Sequence, residues 1–181
     1  RRCLFHTEEN RWHESSPLRI PGDVARRTTR LSACGRIGPT CWILPHKCVN
    51  CDEGGLILFD TDVVIWAFRG NRRAASAIDK ADSLALSVVS YMELTQGTQD
   101  KKDLRMTRAY LVDLGFSILP LTENIGHRAS IYLEEYALKS SLGIPDALIA
   151  ATAVENETQL CSGNAKHYRV ISEVNLKVFR P

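Results

Sequence analysis

Leu56-Ile57-Leu58-Phe59-Asp60-Thr61-Asp62-Val63-Val64-Ile65 decides how this chain is read. Four apolar residues run into an aspartate, the pattern of a short strand buried on both faces, as in a parallel sheet. Downstream the same kind of strand recurs at Leu84–Val89, Phe116–Leu119, Gln159–Cys161 and Lys177–Phe179. Between these strands the apolar spacing turns helical. Helices are expected over Val63–Phe68, Arg72–Lys80, Ser90 to Gly97, Lys101–Leu114, Thr122–Lys139 and Pro145–Glu157. Pro145 suits a first helical position, and Gly143 is expected to end the helix before it. Ala147–Ala153 is apolar on nearly every face and should be buried. Strands alternating with helices imply βαβ units. The expected fold is therefore α/β: a three-layer α/β/α arrangement around a central, mostly parallel sheet of about five strands.

Upstream of Leu56 the text is different. Residues 1–55 show no sustained period of 2 or 3.6, and Ser15-Ser16-Pro17, Pro21-Gly22, Gly38-Pro39 and Gly54-Gly55 interrupt them. They hold 19 apolar residues, against 61 in residues 56–181, and five of the six cysteines. Their 9 basic and 6 acidic residues account for the net charge of +2, since residues 56–181 carry 14 and 15. The expected division is an irregular or disordered extension over 1–55 and one folded domain over 56–181. No apolar stretch of secretory-signal length is present, and Glu8, Glu9, Glu14 and Asp23 argue against a transit peptide. Cys48-Val49-Asn50-Cys51 forms half of a zinc site, with His46, Cys41 and Cys34 nearby. Zinc usually takes two tight pairs, and only one is present. No apolar run reaches the roughly 18 residues of a membrane span, so a cytoplasmic protein is expected. A charge of +2 does not by itself indicate a nucleic-acid binder.

In doubly wound sheets, sites form outside the carboxyl ends of the strands. Asp60 follows the first strand, Glu93 lies one turn beyond the second, and Asp146 begins the Ala-rich helix. Each has a plain structural reading. Asp60 can cap a helix. Ser90 and Glu93 have capping-box spacing. Asp146 suits a first helical turn. Gathered in one cleft, however, three carboxylates repel unless a cation neutralises them. Oxygen-only donors favour Mg²⁺ or Mn²⁺, ions that activate water for attack on phosphorus.

These residues resemble the PIN-domain family. Leu56–Ile65 is similar to its first motif, an apolar strand followed by Asp-Thr. Ser87-Val88-Val89-Ser90-Tyr91-Met92-Glu93-Leu94 with Gly97 resembles the second. Ile144-Pro145-Asp146-Ala147-Leu148-Ile149-Ala150-Ala151-Thr152-Ala153 resembles the third and is the most specific. Leu160-Cys161-Ser162-Gly163-Asn164-Ala165-Lys166-His167-Tyr168 resembles the fourth, which normally reads Thr-x-Asn/Asp followed by Phe. Motif order matches over 56–181, and the size is most similar to a VapC-type toxin ribonuclease of a type II toxin–antitoxin pair.

The resemblance implies a Mg²⁺-dependent endoribonuclease (Mn²⁺ as the alternative ion) with Asp60, Glu93 and Asp146 as metal ligands. Asn164 falls at the fourth acidic position, where an amide can coordinate through oxygen or hold a water. The implied partners are an RNA substrate, a cognate antitoxin protein and a second copy in a homodimer. Asp62 is an auxiliary acid or a solvated first-turn carboxylate. Ser162 hydrogen-bonds a ligand or Asp60, or serves as a turn hydroxyl. His167 acts on phosphate or the leaving group, or is a surface loop residue. Arg69, Arg72 and Arg73, and separately Lys101, Lys102, Arg105 and Arg108, are phosphate-contact candidates or ordinary solvated faces. Two other functions stay open: a degenerate module that binds RNA or protein without cutting, which Asn164 favours, and a DNA-directed metal nuclease.

Overall fold

The structure, a computed structural model, describes residues 55–181. The expectations for the extension, including the Cys48/Cys51 zinc half-site, lie outside the described residues. Five strands form one sheet: β1 (Leu56–Phe59), β2 (Ser83–Ser87), β3 (Ser117–Leu119), β4 (Gln159–Ser162) and β5 (Leu176–Val178). Their order is β3-β2-β1-β4-β5, and every neighbouring pair is parallel. Seven helices accompany them: α1 (Thr61–Phe68), α2 (Arg72–Asp79), α3 (Val88–Gln96), α4 (Lys101–Asp113), α5 (Glu123–Ser140), α6 (Ile144–Glu155) and the single turn α7 (Ala165–Tyr168).

The strands read apolar throughout because both faces are covered. Successive strand residues point to opposite faces, and two cores result. Leu58, Ala85 and Leu160 pack with Ile125, Ala129 and Tyr132 of α5 and with Ala147, Ala150 and Ala151 of α6. Their neighbours Phe59, Leu84, Leu86 and Cys161 pack on the other face with Val63, Val64 and Ala67 of α1, Ile78 of α2 and Leu111 of α4. The Ala-rich stretch of α6 is buried at six of its seven positions, as its composition requires. Small side chains there let α6 lie close against its neighbours.

Several expected boundaries shift. β2 ends at Ser87, not Val89, and Ser87, not Ser90, caps α3: its Oγ accepts from Val89 N at 3.1 Å. The apolar Val88 and Val89 belong to the first helical turn, because the buried Ser87 hydroxyl satisfies a helix donor and starts the helix early. Ser90 and Glu93 therefore form no capping box. α5 ends at Ser140, and Ser141 takes a left-handed φ of 56°. Gly143 instead caps α6, which puts Pro145 second in that helix. The buried Leu142 anchors the chain between the two helices. Leu114 caps the C-terminus of α4, and the Gly115 that follows has a φ of 77°, which suits a residue without Cβ.

The chain moves outward from β1 through β2 to β3, then returns beside β1 as β4. The reversal lies between β1 and β4, the place where such sheets open a crevice at their carboxyl edge. Asp60 immediately follows β1, and Ser162 ends β4. Asp60 N donates to Cys161 O at 3.0 Å, which ties the two strand ends together.

Candidate active site

Asp60 is buried, with 5% of its surface exposed. It caps α1 by accepting from Thr61 N on Oδ1 at 2.8 Å. Its Oδ2 accepts from the Ser162 hydroxyl at 2.6 Å and from the Tyr168 hydroxyl at 3.0 Å. The plain capping reading and the site reading therefore hold together. Burial pushes the Asp60 carboxyl up, against its hydrogen bonds, and the nearby Asp146 adds to the push.

Asp146 occupies the third position of α6, where its Oδ2 meets Gly143 N at 3.4 Å. Its Oδ1 lies 3.3 Å from the Tyr168 hydroxyl, and its Oδ2 lies 2.9 Å from His167 Nδ1. His167 Nδ1 is also 2.8 Å from the Asn164 side-chain amide. One ring nitrogen donates or accepts, but not both. Nδ1 as donor serves the Asp146 carboxylate, and Nδ1 as acceptor serves the Asn164 Nδ2–H, so the tautomer of His167 selects which of the two contacts is a hydrogen bond. Asn164 N in turn donates to Ser162 Oγ at 2.9 Å. The contacts close a ring: Asp60, Ser162, Asn164, His167, Asp146, Tyr168 and back to Asp60.

Glu93 joins from α3. The Thr61 hydroxyl donates to its Oε2 at 2.5 Å. Burial raises its carboxyl, and Asp60 and Asp146 raise it further. Asp62 accepts from Gly163 N on Oδ2 at 2.9 Å, while its buried Oδ1 has no hydrogen-bond partner. Burial first and Asp60 second push Asp62 up to about 7. No Lys or Arg pairs with any of these acids among the described residues.

The structure thus brings Asp60, Glu93, Asp146 and Asn164 to one edge, as the sequence predicts. It also draws Asp62 in from the solvated position expected for it, since β4 turns at Gly163 directly above it. Ser162 bonds Asp60 as one of its alternatives held. His167 is not a free loop residue: it sits on α7 and orients Asp146. The sequence reading missed Thr61 and Tyr168. Thr61 carries a signal, the threonine beside the first aspartate. Tyr168 carries a weaker one, a hydroxyl where the fourth motif normally ends in Phe.

The donor set fits a hard divalent cation. It offers carboxylate oxygens that raise one another's affinity for a positive charge, and the orphaned Asp62 Oδ1 is one more oxygen without a partner. The hydroxyls of Thr61, Ser162 and Tyr168 stand between the acids, and no preformed cluster of three His, Cys, Asp or Glu ligands occurs among the described residues. Arg69, Arg72 and Arg73 follow α1. α1 runs eight residues, about 12 Å, between Asp60 and Arg69, and Arg73 is hydrogen-bonded to the Pro181 carbonyl at 3.0 Å.

The parallel sheet with acids gathered at its switch point is the frame on which residues 57–172 match the PIN domain family model. The chain belongs to the PIN domain family. Among curated proteins it is similar to Ribonuclease VapC10 of Mycobacterium tuberculosis, 32% identical over 123 residues, which is 66% of this chain and 90% of that protein. Among solved structures it is similar to a toxin–antitoxin complex from Klebsiella pneumoniae, with 31% identity, a TM-score of 0.57, and coverage of 65% of this chain and 94% of that one. VapBC2 from Rickettsia felis, solved bound to a promoter DNA fragment, shares the fold at 17% identity, with a TM-score of 0.59 and coverage of 69% and 99%. No helix among the described residues is long and apolar enough to cross a membrane.

Proposed function

We propose that this protein is the ribonuclease toxin of a type II toxin–antitoxin pair, cutting RNA with a divalent cation held by Asp60, Glu93 and Asp146. The observation that carries this reading is the buried Asp60. It stands at the sheet switch point with the Asp146 charge acting on it and Glu93 close by, and among the described residues no Lys or Arg is paired with these acids. Homology to Ribonuclease VapC10 supports RNA as the substrate. The oxygen-only donor set supports Mg²⁺, with Mn²⁺ able to replace it.

When bound, the cation supplies charge neutralisation at phosphorus and a more acidic attacking water. The protein's own residues prepare the site. Thr61 N, Ser162 and Tyr168 fix the Asp60 carboxylate. Thr61 fixes Glu93, and His167 fixes Asp146. Asn164, in this reading, presents its amide to a water or to the substrate. Asp62 is an auxiliary acid with one carboxylate oxygen that has no hydrogen-bond partner.

The partners in this reading are RNA, an antitoxin protein and a second copy of the chain. The related toxin–antitoxin complex supports the antitoxin. A groove of about 710 Å³, lined by Met92, Val112, Phe116 and Leu121 among others, offers apolar surface for a protein partner. Leu138, Ile131 and Ile144 add exposed apolar surface elsewhere.

The test is Asp60→Asn assayed on RNA with Mg²⁺. The amide keeps an acceptor for Thr61 N but carries no charge. Cleavage should be lost while the circular dichroism spectrum is unchanged, and full cleavage by the variant would refute the assignment. A parallel assay on single-stranded DNA separates the DNA-directed alternative. Intact RNA binding without cleavage by the wild-type protein would establish the non-cutting one.

A further inference from the structure

Tyr168 does something the acidic motifs do not call for. Its ring is fully buried, so its position is set by packing and not by solvent. Its hydroxyl reaches Asp60 Oδ2 at 3.0 Å and Asp146 Oδ1 at 3.3 Å, two carboxylates carried by separate elements. A phenol has one proton and can donate to only one of them at a time. Each carboxylate oxygen has two acceptor sites. Asp60 Oδ2 spends both, on Ser162 and Tyr168. Oδ1 spends one, on Thr61 N, and keeps one free. A cation at Asp60 is thereby offered Oδ1.

We propose that Tyr168 is a positioning residue for the cation site: its hydroxyl, donating to Asp60 at the shorter of its two contacts, occupies Asp60 Oδ2 together with Ser162 and leaves Oδ1 as the oxygen with free acceptor capacity for a divalent ion. The proposal rests on the metal-dependent reading of the same site. Residues that orient metal ligands without touching the metal typically contribute about 10- to 100-fold in affinity. Phenylalanine keeps the buried ring and removes only the hydroxyl.

The experiment is Mn²⁺ binding to the RNA-free protein by titration calorimetry, for wild type, Tyr168→Phe and Tyr132→Phe. Tyr132 is the control, because its hydroxyl donates to Glu173 at 2.7 Å, away from the site. Tyr168→Phe should weaken Mn²⁺ binding at least tenfold, and Tyr132→Phe should leave it unchanged. A second measurement needs no site variant: saturating Mn²⁺ should perturb the near-ultraviolet tyrosine difference spectrum of wild type, and Tyr132→Phe should keep that signal. Equal Mn²⁺ affinity in wild type and Tyr168→Phe would overturn the proposal while leaving the metal reading intact. An unperturbed tyrosine spectrum on Mn²⁺ binding would likewise count against it. Wild-type protein that takes up no Mn²⁺ would overturn the metal reading, and the role of Tyr168 with it.

Discussion

Asp62 makes the site's electrostatics measurable without any substrate. Its carboxyl is pushed from 3.8 to about 7 in the folded protein, mainly by burial and then by Asp60. A carboxyl raised on folding binds its proton more tightly in the native state. Its contribution is fully present below the unfolded value, near pH 4, and is lost as pH rises through about 7. A gap of about 3 units corresponds to about 4 kcal/mol at 1.36 kcal/mol per unit. Partial exposure of Asp62 brings this to about 2 kcal/mol. For a domain of this size that is roughly 8 °C in melting temperature. The assay is thermal unfolding in chelator from pH 4 to 8, for wild type and Asp62→Asn. The asparagine cannot titrate, and its side-chain oxygen can still accept from Gly163 N. Wild type should lose stability relative to the variant as pH rises from about 4 to 7. Saturating Mn²⁺ at the upper pH should restore it, by about 2.7 kcal/mol at a hundredfold excess over the dissociation constant. A difference curve that is flat or rises with pH would refute the burial and crowding assigned to Asp62.

Two further perturbations follow from the geometry. Gly163→Ala would place a Cβ 2.5 Å from Asp62 Oδ2, so Asp62 must move; RNA cleavage should fall while melting changes by only a few degrees, and wild-type activity would show that Asp62 is dispensable. Leu58→Ala removes a fully buried side chain between β1 and the α5–α6 layer and should cost about 3 kcal/mol in urea unfolding, with an unchanged denaturant slope indicating that the fold survives.

The sequence by itself determined the architecture. Apolar runs such as Leu56–Phe59 and Leu84–Leu86 are too uniformly hydrophobic for a sheet with one wet face, so helices had to cover both sides. Asp60 and Glu93 were legible at the carboxyl edge of the sheet, directly after one buried strand and a turn beyond another, whereas Asp146 was legible only as the first turn of the Ala-rich helix. What sequence could not supply was the wiring between them. Ser87 rather than Ser90 opens α3, since either serine has the chemistry of a cap and only the end of the β2 pairing with β3 at Ser87–Leu119 chooses between them. Asp62 looked like a solvated first-turn acid until β4, about a hundred residues later in the chain, set Gly163 against it. His167 and Tyr168 read as the tail of a motif, but α7 turns the first onto Asp146 and buries the second between two carboxylates. Local pattern carries which residues are apolar and where strands end. Hydrogen bonds between residues that far apart depend on the crossover that brings β4 back beside β1, and only the folded chain has that crossover.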